Sequence, residues 1–90
     1  MPKRVQPRFG TNLGGKPVVL TGLCFSPTDD IICSFGGVTT KGRFLEASGQ
    51  VSAECIVPPS PNTRGRIPLL VSQNGGVNFT DFSVFIYCEY

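Results

Sequence analysis

The sequence predicts an all-β sandwich of about seven short antiparallel strands. Three observations lead there. Eleven Gly and eight Pro fall among 90 residues, more helix breakers than a long helix or coiled coil tolerates. No stretch carries the three-to-four-residue apolar spacing of a helix, whereas apolar–polar alternation recurs in short runs. Turn residues separate those runs at roughly ten-residue spacing, as in sandwiches and barrels.

The elements follow in order. Residues 3–9 form a ragged first strand broken by Pro7, and residues 10–15, which include Gly10, Asn12, Gly14 and Gly15, form a turn. Residues 17–23 are a strand, and Ser26-Pro27-Thr28-Asp29-Asp30 is a loop. Residues 31–35 are a strand that stops at Gly36-Gly37, followed by a weaker strand region, 38–46, kinked at Gly42. Residues 50–57 alternate cleanly: Val51, Ala53, Cys55 and Val57 face inward, Ser52 and Glu54 outward. Pro58, Pro59 and Pro61 end that strand, because proline cannot continue a ladder. Ile67 to Ser72 is a strand in which Pro68 implies an edge or a bulge. Gln73-Asn74-Gly75-Gly76 reads as a tight hairpin, since Asn-Gly accepts positive φ at both turn positions. Residues 79–88 are the last strand. Seven strands at this spacing suggest an immunoglobulin-like sandwich, although there is no Trp and the cysteine spacing differs from antibody domains.

Ninety residues make one domain, 1–90. No apolar run approaches the roughly 18 residues of a membrane span, so no membrane insertion is expected. Met1-Pro2-Lys3-Arg4 is not followed by the apolar core of a signal peptide. The expectation is a cytosolic chain or a piece of a larger protein. A formal net charge of +2 is low for a domain that grips nucleic acid through phosphate contacts. The chain has no His, which removes the commonest general base and metal ligand and any Ser-His or Cys-His dyad. Gly-x-Ser-x-Gly is absent too. No enzymatic activity and no cofactor are expected.

Cys24, Cys33, Cys55 and Cys88 are even in number, and no two stand in the close pairs of a zinc site. A domain this small gains much from disulfides in an oxidising compartment. Four buried free thiols are the alternative, since Cys packs as a small apolar group. Asn78-Phe79-Thr80 is an N-glycosylation sequon, which points outside the cell as disulfides do.

Several stretches resemble one family. Val5-Gln6-Pro7, Gly10, and Gly14 to Gly22 followed by Phe25 resemble the opening of an IPT/TIG domain. Phe35-Gly36-Gly37, Cys55-Ile56-Val57-Pro58-Pro59, Ile67 to Ser72 with Asn74-Gly75, and Phe85-Ile86-Tyr87 resemble its later landmarks, in the right order along nearly the whole chain. The resemblance implies an immunoglobulin-like fold. Such domains occur in plexins, in the hepatocyte growth factor receptor family, in Rel-type transcription factors and in some carbohydrate-active enzymes. Cys24-Phe25, Cys33 to Gly36 and Gly65 to Pro68 look most like extracellular versions. Those stand beside nidogen-like, AMOP and von Willebrand D modules in mucin-like and sushi-domain-containing membrane proteins. Plexin modules carry a cysteine just after the Gly-Gly, where this chain has Val38-Thr39-Thr40, so their disulfide does not transfer.

Of three possible connectivities, the topology of such a sandwich favours Cys24–Cys33 with Cys55–Cys88. The first pair would flank one short loop, and the strands of the second would finish at the same end. Cys33–Cys55 could bridge the two inner faces but would strand Cys24 with Cys88. Asp29, Asp30 and Asp81 are too few oxygen donors to suggest calcium over a solvated loop. Lys41, Arg43, Arg64 and Arg66 would form a basic patch if strands around 40 and 65 approach. Phe79, Phe82, Phe85, Tyr87 and Tyr90 crowd the C-terminus, mainly as core, with one or two in a possible apolar docking patch.

The expectation is a non-catalytic structural or interaction module of a secreted or cell-surface protein. Its partners would be neighbouring domains or another protein, bound through a sheet face or edge. The alternatives are a Rel-type dimerisation and DNA-binding domain, which wants reduced cysteines, or a carbohydrate-binding accessory domain, which wants exposed aromatics including Trp.

Overall fold

A computed structural model describes residues 3–60 and 64–88, so Met1, Pro2, Pro61 and Tyr90 of the sequence reading lie outside the described residues. Among the described residues every regular element is a strand: β1 (Arg4–Gln6), β2 (Phe9–Thr11), β3 (Pro17–Thr21), β4 (Ile32–Phe35), β5 (Val38–Ala47), β6 (Gln50–Ile56), β7 (Gly65–Ser72) and β8 (Thr80–Cys88). The lateral order is β1-β3-β6-β5-β4-β7-β8-β2. This is the all-β, immunoglobulin-like sandwich that the sequence predicts.

Eight strands replace the expected seven because the first divides at Pro7, which follows a cis Gln6–Pro7 peptide. β1 runs antiparallel to β3, whereas β2 crosses over and runs parallel to β8, an exception to the expected antiparallel pattern. β5 makes the matching transfer on the other side. Its first residues pair with β4 and, from Gly42 onward, it pairs with β6. At Gly42 an added Cβ would lie 2.7 Å from the Cys55 sulfur, so the missing side chain lets the strand pass over the core there. The two sheet-switching strands cover only part of the sheet edges, β2 pairing with β8 at Ile86–Cys88 alone. They leave the two sheet faces as the broad surfaces.

The expected tight hairpin at Asn74-Gly75 is found elsewhere. The β4–β5 connection is the two-residue loop, with Phe35 opposite Val38 and positive φ at both Gly36 and Gly37. The β7–β8 connection spans residues 73–79, and its positive-φ residues are Gly75 and Gly76. Asn74 acts there through its side chain, whose Oδ1 accepts from the Ser72 hydroxyl (2.8 Å) and the Asn78 N–H (2.9 Å). Pro68 is not on an edge, since β7 lies between β4 and β8. A register shift at Leu69/Leu70 adjoins it. Its carbonyl accepts from Gly36 N–H, so its missing donor faces the Gly36–Gly37 turn rather than the body of β4.

The core lies between the sheets. Val18 and Leu20 of β3 and Ala53 and Cys55 of β6 meet Cys33 and Phe35 of β4, Leu69 and Val71 of β7, and Phe85 and Tyr87 of β8. Ala53, Cys55 and Val57 are buried as the alternation requires, with Val51 packed against them from the rim. Phe85 stands edge-on to both Phe35 (5.3 Å between centroids) and Tyr87 (5.4 Å). The Tyr87 hydroxyl donates to the Pro58 carbonyl at 2.7 Å inside the protein. Burial pushes the Tyr87 phenol above its ordinary value. Its stabilising effect is therefore full below the unfolded tyrosine's pKa of about 10 and is lost as pH rises through the folded one. Tyr87→Phe leaves the Pro58 carbonyl unpaired and should cost about 1–2 kcal/mol at neutral pH. Urea melts at pH 7 and pH 10.5 check both points, because the gap between variant and parent should narrow at the higher pH.

Candidate interaction surface

The four cysteines divide by strand parity. Cys33 shares the inward face of β4 with Phe35, and Cys55 shares that of β6 with Ala53; all four are fully or almost fully buried. Cys33 and Cys55 form a disulfide with their Cα atoms 6.4 Å apart, joining the two sheets through the core. The expected pairs Cys24–Cys33 and Cys55–Cys88 are therefore incorrect. Cys33 does not flank the β3–β4 loop but sits inside the strand. Cys88 ends β8 on the face opposite Phe85 and Tyr87, pointing away from Cys55. Cys24 and Cys88 are free and exposed. They lie at opposite ends of the sandwich: the Cys24 carbonyl is bonded by Gln73 of the β7–β8 connection, whereas Cys88 adjoins Thr11 at the far end of β8.

The other candidate residues are placed as follows. Asp29 holds the β3–β4 loop, its Oδ2 accepting from Ser26 N–H (2.9 Å) and Gln73 Nε2 (2.8 Å). Asp30 bridges to Asn74, and Asp81 lies at the start of β8. Among the described residues no three His, Cys, Asp or Glu side chains gather as a metal site would require. The basic patch does not assemble. Lys41 and Arg43 straddle the point where β5 changes sheets, Arg43 is paired with Glu54 (2.9 Å), and Arg66 lies toward the other end of β7. Arg64 stands just before β7. Asn78 is exposed in the β7–β8 connection. Phe82, Phe85 and Tyr87 are core, and Phe79 is exposed.

An apolar surface does exist, but other residues build it. The outer face of the sheet β5-β4-β7-β8-β2 is ordered by register into rows. Phe9, Ile86 and Arg66 form one row; Val84 and Pro68 the next; Asp81, Leu70 and Ser34 a third. Phe9 is 58% exposed and Val84 40%. Paired residues share a face, so the exposed part of this set runs continuously across β2, β8 and β7, while Ser34 of β4 is buried. The sequence reading missed it because Phe9, Pro68 and Val84 meet only through pairings distant in sequence. No helix among the described residues is long and apolar enough to cross a membrane.

A two-sheet sandwich with an inter-sheet disulfide and an apolar outer face defines the class: an immunoglobulin-like domain. The profile of the IPT/TIG domain matches residues 2–84, and the chain belongs to that family. It is also similar to a probable serine/threonine-protein kinase, drkC, of Dictyostelium discoideum, at 29% identity over 92% of this chain. The match covers 12% of that protein, so the chain spans about an eighth of its length.

Proposed function

We propose that residues 1–90 are a single, non-catalytic structural and protein-interaction module of a larger secreted or cell-surface protein. Its partners are a neighbouring domain or another protein, without nucleic acid and without inserting into the membrane. The observation that carries this reading is the Cys33–Cys55 bridge buried between the sheets. A structural disulfide of this kind is characteristic of oxidising compartments. Membership of the IPT/TIG family supports the interaction role. The outer face with Phe9 and Val84 is apolar, which suits it to docking a partner. The exposed sequon at Asn78 fits the same compartment.

Glycosylation of Asn78 tests the compartment. Peptide-N-glycosidase converts a glycosylated Asn to Asp, and this conversion is expected at position 78 of the native protein. An unmodified Asn78 together with four reduced cysteines would contradict the reading.

A further inference from the structure

We propose that the trough where the chain crosses from β1 to β2, lined by Arg4, Arg8 and Lys16, binds a sulfated polysaccharide. The inference goes beyond the protein-docking role above and rests on its extracellular reading. It starts from the distribution of charge. No Asp or Glu occurs before Asp29, whereas four of the eight Lys and Arg fall in the first 16 residues: Lys3, Arg4, Arg8 and Lys16. The crossover gathers three of them. A cavity of about 640 Å³ is lined by Arg4 to Phe9. A smaller hollow shares Pro7 and Phe9 with it and reaches Lys16. Among the described residues no Asp or Glu lines either one. Arg4, Arg8 and Lys16 are exposed, and none forms an ion pair within the described residues. Lys3 is set apart, since its Nζ donates to the Asp81 carbonyl.

Register spaces the charges. Arg4 lies opposite Thr21, and Lys16 immediately precedes β3 at Pro17, so the two stand about 16 Å apart along that strand, five residues' rise. Arg8 falls between them, two residues past Gln6, which is opposite Val19. Three unopposed cations spread over this length suit a linear polyanion better than a single small ion.

The lining selects among polyanions. An acidic peptide would add to an exposed strand by main-chain pairing, but Pro7 lacks an N–H and divides the strand in the middle of the trough. Nucleic acid calls for more positive charge than a net +2 supplies. A sulfated polysaccharide needs only oxyanion donors and a surface for its sugar rings. The forked N–H groups of arginine match sulfate oxygens as they match phosphate, and Gln6 adds an amide donor. Phe9 offers an exposed ring where the two hollows adjoin.

Calorimetric titration of the 90-residue chain with a heparin hexasaccharide in 50 mM NaCl tests the proposal. Binding is expected, and log Kd should rise with log[NaCl] at a slope of about 2, because each of three contacts releases roughly 0.7 counterion from a flexible polyanion. Arg8→Gln should weaken binding about fivefold, the upper value for an exposed ion pair. Arg4→Gln, Arg8→Gln and Lys16→Gln together should abolish it. Lys41→Gln, on β5 and separated from β2 by β4, β7 and β8, should change it less than twofold. All four side chains are exposed, so the urea midpoints should stay at that of the parent. The desulfated hexasaccharide, hexaglutamate and a thymidine hexanucleotide should each bind at least tenfold more weakly than heparin. No binding of heparin at 1 mM, an equal loss in Lys41→Gln, or any of those three probes binding as tightly would overturn the proposal. None of these outcomes depends on the state of Asn78, so the two readings fail separately.

Discussion

Replacing both Cys33 and Cys55 with Ala lowers the unfolding free energy by about 3 kcal/mol. The bridge closes a loop with a sequence separation of 22, and loop-closure entropy at that length gives this magnitude. A 90-residue domain has roughly 5–13 kcal/mol in total, so the loss is a large share of it. Both sulfurs are fully buried between the sheets, so the variant also loses core packing. Urea denaturation measures the effect, with the midpoint falling well below that of the parent. The double variant Cys24→Ser/Cys88→Ser supplies the contrast. Those side chains are exposed and unpaired, and their replacement should change stability by no more than about 0.5 kcal/mol. The connectivity expected from the sequence would make each pair of substitutions equally damaging.

Gly14→Ala is the second large effect. Gly14 has φ of +69°, and a Cβ there would stand 2.5 Å from Pro59 N, 2.6 Å from the Pro58 carbonyl carbon and 2.7 Å from Val57 O. All three are backbone atoms, which no side-chain rotation can clear. The surrounding bonds hold the two segments together: Gly15 N–H donates to Val57 O (2.7 Å) and Ser60 N–H to Asn12 O (2.9 Å). The same segment carries the Pro58 carbonyl that receives the Tyr87 hydroxyl. The left-handed conformation alone costs alanine about 1–2 kcal/mol, and displacing the backbone at 57–59 adds to it. A total of about 3 kcal/mol or more is expected. Gly15→Ala is the matched control, with φ of +88° but nothing within 4 Å of its Cβ. It should cost only about 1–2 kcal/mol. Denaturant midpoints of the two variants check the difference. Equal losses would show that the close approach at Gly14 is absent.

Local pattern carried most of the fold. Alternation through Val51, Ala53, Cys55 and Val57 placed β6 and its buried face, and the prolines after Val57 placed its end. The ordered landmarks from Gly14-Gly15 to Phe85-x-Tyr87 indicated the family. What local pattern could not carry was register between strands distant in sequence. Parity within β4 and β8 already separates inward Cys33 from outward Cys88. Reading the cysteines by strand ends alone favoured the wrong pairs. The transfer of β5 at Gly42 needed knowledge of what lies beneath it, the Cys55 sulfur. Two Gly-rich turns competed for the tight hairpin, and pairing on both sides decided for Gly36-Gly37. The outer apolar face was least legible. Its residues come from β2, β7 and β8, and each one alone is an ordinary exposed apolar residue.

Disulfide mapping of the native full-length protein, alkylated before digestion and kept non-reduced, tests the central claim of an oxidised interaction module. Trypsin with Asp-N separates all four cysteines, because cleavage before Asp29, Asp30 and Asp81 and after Lys41, Arg43 and Arg64 places each on its own peptide. The account predicts a Cys33–Cys55 cross-linked peptide and no Cys24–Cys33 or Cys55–Cys88 species. Alkylated, reduced Cys33 and Cys55 in protein taken from its natural compartment would contradict it.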